Sequence, residues 1–521
     1  MSDLLIVFIG LAIILYIFFT LGTSRTAIQR GKNGVLWFLF SLILPPIAFI
    51  AVLFVEKKSD TPKGEHNFFN NMVLELTQPF IDLAHTSQAL LGVNISYVLE
   101  GLTYFGVVSL LAIFFNNFIG LDDIDAGRMV GILTAGITIA MLFLGATVDW
   151  IGLRKSLIIS LSLMLAGRIL LSTSPEIGMA GLWQSAHIYA MLGIMGIILG
   201  YGIYQPACYA GVKQLTNQKT SAMGYAMLYA LMNLGGFLPG IISPPVRRAF
   251  GITGVFWVYV ALTVAGIAVV YFIITKKAMD KATKEVSIGT VGGHKEEEKD
   301  EMAEMTRKEK MHYYIKNFPF KDLRFMYFIF ILIPVQTLFA HNWLTLPQYT
   351  SRAFEGFVSN NFEFFVNLNP ILIFILTPMV TALTSKKDTY KMMIIGTFVM
   401  ASPTFILALG PNIDTLMAYL VLMTIGEAMW QPRFLQWVAD IAPKNMTGIY
   451  MGIGQFPWFL TKVVTSIYSG WFLMQYCPAD TPPSEMNTEV MWLIYGFIAI
   501  ISPVGLILAK KWMIKGFKVT A

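Results

Sequence analysis

"GATVDWIGLRK", residues 145–155, is a short polar interruption between two long apolar runs. Gly145 lets helices approach closely, and Asp149 falls where a helix ends. Arg154 and Lys155 are placed to pair with carboxylates or helix C-termini across a bundle interface. Outward from this loop the same alternation continues. From residue 93 onward twelve apolar runs are expected to be helices, approximately 93–117, 127–148, 156–173, 186–208, 222–243, 252–275, 325–344, 369–385, 391–410, 413–438, 447–473 and 489–509. Each is long enough to cross about 30 Å of hydrocarbon. The loop is therefore the link between the second and third of twelve spans.

Composition agrees. The chain has 521 residues, 56% hydrophobic and 13% charged, with a mean hydropathy of +0.64. A soluble domain carries about 25% charge, so an all-α polytopic membrane protein is expected. Cys208 and Cys477 lack CxxC spacing and the six histidines lack HxxxH or HExxH spacing, so no disulfide framework, metal site or cofactor is expected. The net charge of +6 sits mainly in loops, as the positive-inside rule predicts, and does not indicate nucleic acid.

Five segments follow. Residues 1–65 read as a transmembrane hairpin, although its basic loop "TSRTAIQRGKN" would face outward, so a re-entrant second segment broken at Pro45-Pro46 is the alternative. Residues 66–92 read as an amphipathic interfacial helix, 93–275 as a six-helix bundle, 276–322 as a charged cytoplasmic linker, and 323–521 as a second six-helix bundle with a basic tail. Two bundles joined this way can rock against each other. Arg154, Lys155, Lys213, Lys219, Lys386, Lys387 and the C-terminal lysines fall on one side, with Arg247 and Arg248 as the main exception. That side, with the C-terminus, is expected to be cytoplasmic, in a bacterial inner membrane.

The spacing GxxxDxxGxRK, with Gly145, Asp149, Gly152, Arg154 and Lys155 in register, resembles the gating-loop signature of the major facilitator superfamily, with Trp150 in place of the usual Arg. "YGIYQPACYAGVKQLT" (201–216), "YALMNLGGFLPG" (229–240), "NLNPILIFILTP" (367–378) and "GEAMWQPRFLQWVADIAPKNMTGIYMG" (426–452) are similar in order to motifs of the proton-dependent oligopeptide transporter family. "YVLEGLTYFG" (97–106) resembles its ExxERFxYYG motif, with Glu100 on the second Glu. The resemblance implies twelve core spans of the major facilitator fold plus about two extra N-terminal helices, alternating access and no enzymatic activity. It assigns Glu427 to a substrate amine. Tyr104, Asn233, Asn369, Gln205, Gln336, Tyr229 and Trp430 complete the implied binding set.

The departures are as informative. Tyr97, Gly101, Val108, Gln205 and Val335 stand where the family carries charged residues. Losing these charges together leaves no orphaned partner, whereas losing one would strand a buried charge at about 3–5 kcal/mol. A changed substrate or coupling mode follows: a small peptide-like or amine-bearing solute, with protons coupled through Glu100, Glu427 and Arg168. An uncoupled facilitator or exchanger, and a non-transporting receptor or assembly partner using the N-terminal helices, are the alternatives. Glu100 reads either as a protonation site or as a neutral relic bonded to backbone. Arg168 either pairs with Glu100, supplies an anion site, or snorkels outward. Lys462 and His341 are expected to snorkel.

Overall fold

The computed structural model describes residues 16, 19–28, 30, 33–43, 48, 51–52, 73, 87–145, 147–216, 221–290, 318–384, 387–441, 450, 453–454 and 456–514. Helices account for its regular structure, and no strand occurs among the described residues.

The first core helix, α1 (Gln88–Asn117), starts earlier than hydropathy suggests because the Ser87 side chain accepts the Leu90 N–H at 3.4 Å. Residues 88–92 thus belong to a core helix, not to the end of an interfacial one. α2 (Asp123–Leu144) likewise starts inside the acidic "LDDID" stretch. Asp122 caps it by accepting the Asp125 N–H at 2.8 Å, and Asp123 and Asp125 favour the positive end of the helix dipole. α3 (Leu153–Thr173) and α4 (Ser185–Leu215) follow. α5 (221–250) and α6 (252–273) form one run interrupted at Gly251, whose φ of 70° is open to glycine and strained for other residues.

Of the expected linker, Lys276–Thr290 is a helix packed on α1 and α4, with Ala278 and Ala282 buried. Residues 291–317 lie outside the described residues, as do 442–449, 515–521 and most of the expected hairpin and interfacial helix. In the first 65 residues, 19–28 and Gly34–Ile43 are helical. The helix over 19–28 takes in part of the basic stretch read as a loop and buries Arg25.

α7 comes in two pieces, Leu323–Ile331 and Ile333–Leu344. Pro334 cannot continue the hydrogen-bond ladder, and the Val335 N–H donates instead to Ser502 Oγ at 2.9 Å. α8 (Leu368–Thr384) is preceded by two short turns, Phe357–Asn360 and Phe362–Val366. α9 (Thr389–Ala401), α10 (Ile413–Ile441), α11 (Phe456–Tyr476) and α12 (Thr488–Ile514) complete the chain. Among the described residues, nine stretches are long and apolar enough to cross a membrane, one of them the interrupted run through Gly251.

α1 to α6 pack as one set and α7 to α12 as another. The sets meet where α2 packs on α11, α5 on α8 and α1 on α7. The end of the bundle carrying loops 118–122, 174–184 and 477–487 is called the Asp123 end below, and the opposite one the linker end.

Candidate functional site

Glu100 and Arg168 are brought together in the core of the first bundle. Arg168 Nη1 donates to Glu100 Oε2 at 2.9 Å and Nη2 to Glu100 Oε1, a bidentate pair 2% and 1% exposed. Thr103 Oγ1 donates to Glu100 Oε2 at 3.1 Å, and Arg168 Nη1 also reaches Thr263 Oγ1 at 2.6 Å. α1, α3 and α6 are thereby tied at bilayer depth. Arg168 does not snorkel.

In the second bundle Glu427 on α10 is 5% exposed and bonded to Asn369 on α8, whose Nδ2 donates to Oε2 at 2.9 Å and to Thr424 Oγ1 at 3.0 Å. No cation pairs with Glu427 among the described residues. Tyr229 of α5, in the facing bundle, is 51% exposed. Asn233, one turn on, donates from Nδ2 to Tyr229 O at 2.9 Å. On the α4 side Gln205 is half-buried, 3.5 Å from the exposed Tyr209 hydroxyl. Tyr104 is half-buried against Tyr201, with ring centroids 4.8 Å apart. The Phe105–Trp343 contact at 6.4 Å joins α1 to α7.

Four residues outside the 145–155 loop depart from the sequence reading. Trp430 is 0% exposed and turned into its own bundle, where its indole donates to Met400 Sδ at 3.1 Å, so it does not line the interface. Gln336 is also 0% exposed, bonded by Thr461 Oγ1 at 3.2 Å between α7 and α11. His341 does not snorkel. It is 1% exposed, stacked on Tyr495 at 3.9 Å, with Thr345 and Tyr468 on its two ring nitrogens. Lys462 is turned towards the first bundle. It is half-buried on α11 and donates to Thr138 Oγ1 on α2 at 3.4 Å.

In the loop at 145–155, Gly145 closes α2 and Gly152 takes a φ of 82°. The backbone of Asp149 lies in a short helical turn, Thr147–Ile151. Arg154 does not reach across the interface. Its Nη2 donates to Tyr271 O at 3.1 Å near the C-terminus of α6, and the guanidinium lies 5.1 Å from the Tyr271 ring. Lys155 is exposed.

The bonds that join the bundles at the Asp123 end escaped the sequence reading. Arg352 donates from Nη1 to Asp123 Oδ2 and from Nη2 to Asp123 Oδ1, both at 2.7 Å, and to Cys477 O at 3.0 Å. Gln348 adds Asn116 Oδ1 at 2.7 Å and Asp123 Oδ1 at 3.2 Å. On the other flank Arg247 pairs with Glu363 and bonds Asn360 O at 2.8 Å, while Arg248 bonds Asn361 Oδ1 at 2.7 Å. The available signal was that Arg247 and Arg248 break the loop-charge pattern. Between these flanks α2 and α11 touch backbone to backbone: a β-carbon at Gly470 would collide with Asp123 and Ile124.

Residues 93–466 match the Major Facilitator Superfamily. Over 151 residues the chain is 29% identical to the dipeptide and tripeptide permease A of Salmonella typhimurium, an alignment covering 26% of this chain and 29% of that protein. The fold is similar to a crystal structure of a mutant peptide transporter POT in complex with alafosfalin, with a TM-score of 0.63 and 15% identity over 83% of this chain and 96% of that one. It is also similar to a POT family transporter in complex with 5-aminolevulinic acid, with a TM-score of 0.58 and 17% identity over 82% and 97%. At such identities the likeness to the solved structures is one of fold.

Proposed function

The chain belongs to the major facilitator superfamily, and from that premise we propose that it is a secondary transporter moving a small peptide-like or amine-bearing solute across the bacterial inner membrane by alternating access. The family and the similar proteins are transporters, not enzymes. One observation carries the choice of solute. Glu427 is buried within a long apolar helix, hydrogen-bonded by Asn369, with no cation paired to it among the described residues. A carboxylate kept in that setting is a binding site or a proton site by default. An ammonium group arriving opposite Tyr229 would supply its missing counter-charge.

The two six-helix sets are the proposed rocking bodies. With the linker end cytoplasmic, the Asp123–Arg352 and Arg247–Glu363 pairs form an outer latch, and the structure corresponds to a state closed to the outside. Return to the outward state breaks both pairs while the linker ends approach. Glu100 is locked by Arg168 and accounts for no proton movement in this state, so Glu427 is the proposed coupling acid. That same lock favours a second reading, an uncoupled facilitator, because a single unpaired acid serves both solute and proton.

Glu427→Gln tests the site. Loss of dipeptide uptake with an unchanged melting temperature is expected. Wild-type uptake by this variant would remove Glu427 from the site.

A further inference from the structure

A cavity of about 490 Å³ lies at the Asp123 end, within the size range of small-molecule sites. Both bundles build its wall. Asn117 and Phe118 at the end of α1, Arg247 of α5 and Ile252 of α6 come from the first, and Arg352 and Phe362 from the second. The two arginines that join the bundles at this end therefore border one space, and neither uses all its donors on the other bundle. Arg247 engages Glu363 through Nε and Nη2 and Asn360 O through Nη2, while its Nη1 has no hydrogen-bond partner among the described residues. Arg352 engages Asp123, Asn116 and Cys477 O through its two Nη atoms, while its Nε has none among them. Both nitrogens are reached by solvent. The Arg247 guanidinium lies 4.8 Å from the centre of the Phe362 ring, which holds its plane against the wall. Asn117 and Asn360, exposed residues of the same wall, add side-chain amides that make no hydrogen bond among the described residues.

Guanidinium and amide donors beside apolar side chains fit one ligand chemistry. We propose that this cavity binds a small organic monocarboxylate and that binding clamps the Asp123 end shut. The carboxylate oxygens accept from the guanidinium edges and the amides, and the hydrocarbon part lies on Phe118, Ile252 and Phe362. The acids nearby restrict the ligand to a single negative charge. Asp123 and Glu363 already stand against the same arginines, and the exposed Asp480 follows the lining residue Ala479. The clamp follows from where the wall comes from. Opening of the Asp123 end draws Arg247 and Asn117 away from Arg352 and Phe362, so the complete site exists only in the closed state. A ligand that binds one of two states shifts the population towards it. With the linker end cytoplasmic the cavity is reached from outside, which makes its ligand an external inhibitor of turnover.

The site is separate from Glu427 and does not depend on which solute is transported. Binding of 3-methylbutanoate and of its uncharged amide to the purified full chain is measured by calorimetry. Wild type is compared with Asn117→Asp, Ala479→Trp and Glu427→Gln, each checked for an unchanged melting temperature. Asn117→Asp adds an opposing charge and Ala479→Trp fills the space, at exposed positions outside both ion pairs. Wild type is expected to prefer the acid over the amide by about 10–100-fold, the worth of one hydrogen bond to a charged group. Each cavity variant is expected to weaken binding of the acid by about tenfold or more, and Glu427→Gln to bind it as wild type does. The clamp is read from a cysteine at Ser466, buried beneath the seam, with Cys208 and Cys477 replaced by serine. At about ten times its Kd the acid should slow maleimide labelling from the Asp123 side by about tenfold. No binding of the acid by wild type, equal binding of acid and amide, undiminished binding by either folded cavity variant, or its loss in Glu427→Gln overturns the site. An unchanged labelling rate with the acid bound overturns the clamp.

Discussion

Arg352→Gln is the perturbation whose consequence follows most directly from the geometry. It removes two 2.7 Å charge-assisted bonds to Asp123 and the bond to Cys477 O. The Asp123 carboxylate is left 6% exposed, with Gln348 at 3.2 Å in place of a cation. Truncating one partner of a buried, hydrogen-bonded charge pair costs about 2–5 kcal/mol. That penalty falls on the state in which the Asp123 end is closed, because the pair joins α2 to the segment after α7. The ratio of closed to open molecules should fall by at least roughly 30-fold, the factor corresponding to the lower bound. Ser466 reports it: the residue is 6% exposed beneath the seam. In a background where Cys208 and Cys477, both buried, are replaced by serine, Ser466→Cys is labelled with a membrane-impermeant maleimide from the Asp123 side. Arg352→Gln should raise the labelling rate by about tenfold or more until opening saturates. A rate within about twofold of the parent, in folded protein, would show that the pair does not hold this end shut.

Three further outcomes are expected. Glu100→Gln or Arg168→Gln strands one member of a pair that is 1–2% exposed, and each should cost about 3–5 kcal/mol in thermal unfolding. The double variant should recover much of that loss, and an additive double variant would contradict the pairing. Gly470→Val should prevent α2 and α11 from meeting and abolish turnover while substrate binding to the open state persists; normal turnover would refute the seam. Trp430→Phe should lower stability by about 1–3 kcal/mol through the lost volume and the lost bond to Met400. KM should stay unchanged, and a large KM change in stable protein would return Trp430 to the site.

Much of this molecule was legible as depth along helices. Apolar length set where the chain crosses, and Glu100, Arg168, Glu427 and Lys462 were all visible as charges inside apolar runs. Azimuth was not legible. A helix buried partly in protein and partly in lipid shows hydrophobic residues on every side, so nothing in "GEAMWQPRF" says that Glu427 faces the interface while Trp430 faces Met400. Partners across bundles were equally hidden. Asp123 read as an ordinary loop acid, and its partner lies 229 residues away. Lys462 was assigned to snorkelling because it lies near a helix end or kink; the fold turns it towards α2 instead. Helix starts were missed by about a turn wherever a polar cap, Ser87 or Asp122, precedes the apolar run.

Uptake of a dipeptide into proteoliposomes, with and without an inward proton gradient and with internal pH followed, tests the central proposal most directly. Gradient-stimulated uptake with internal acidification is expected from wild type, and its loss is expected from Glu427→Gln. Uptake indifferent to the gradient would remove the proton from Glu427 and leave a facilitator. No dipeptide uptake by wild type under either condition would contradict the proposed transport of a peptide-like solute.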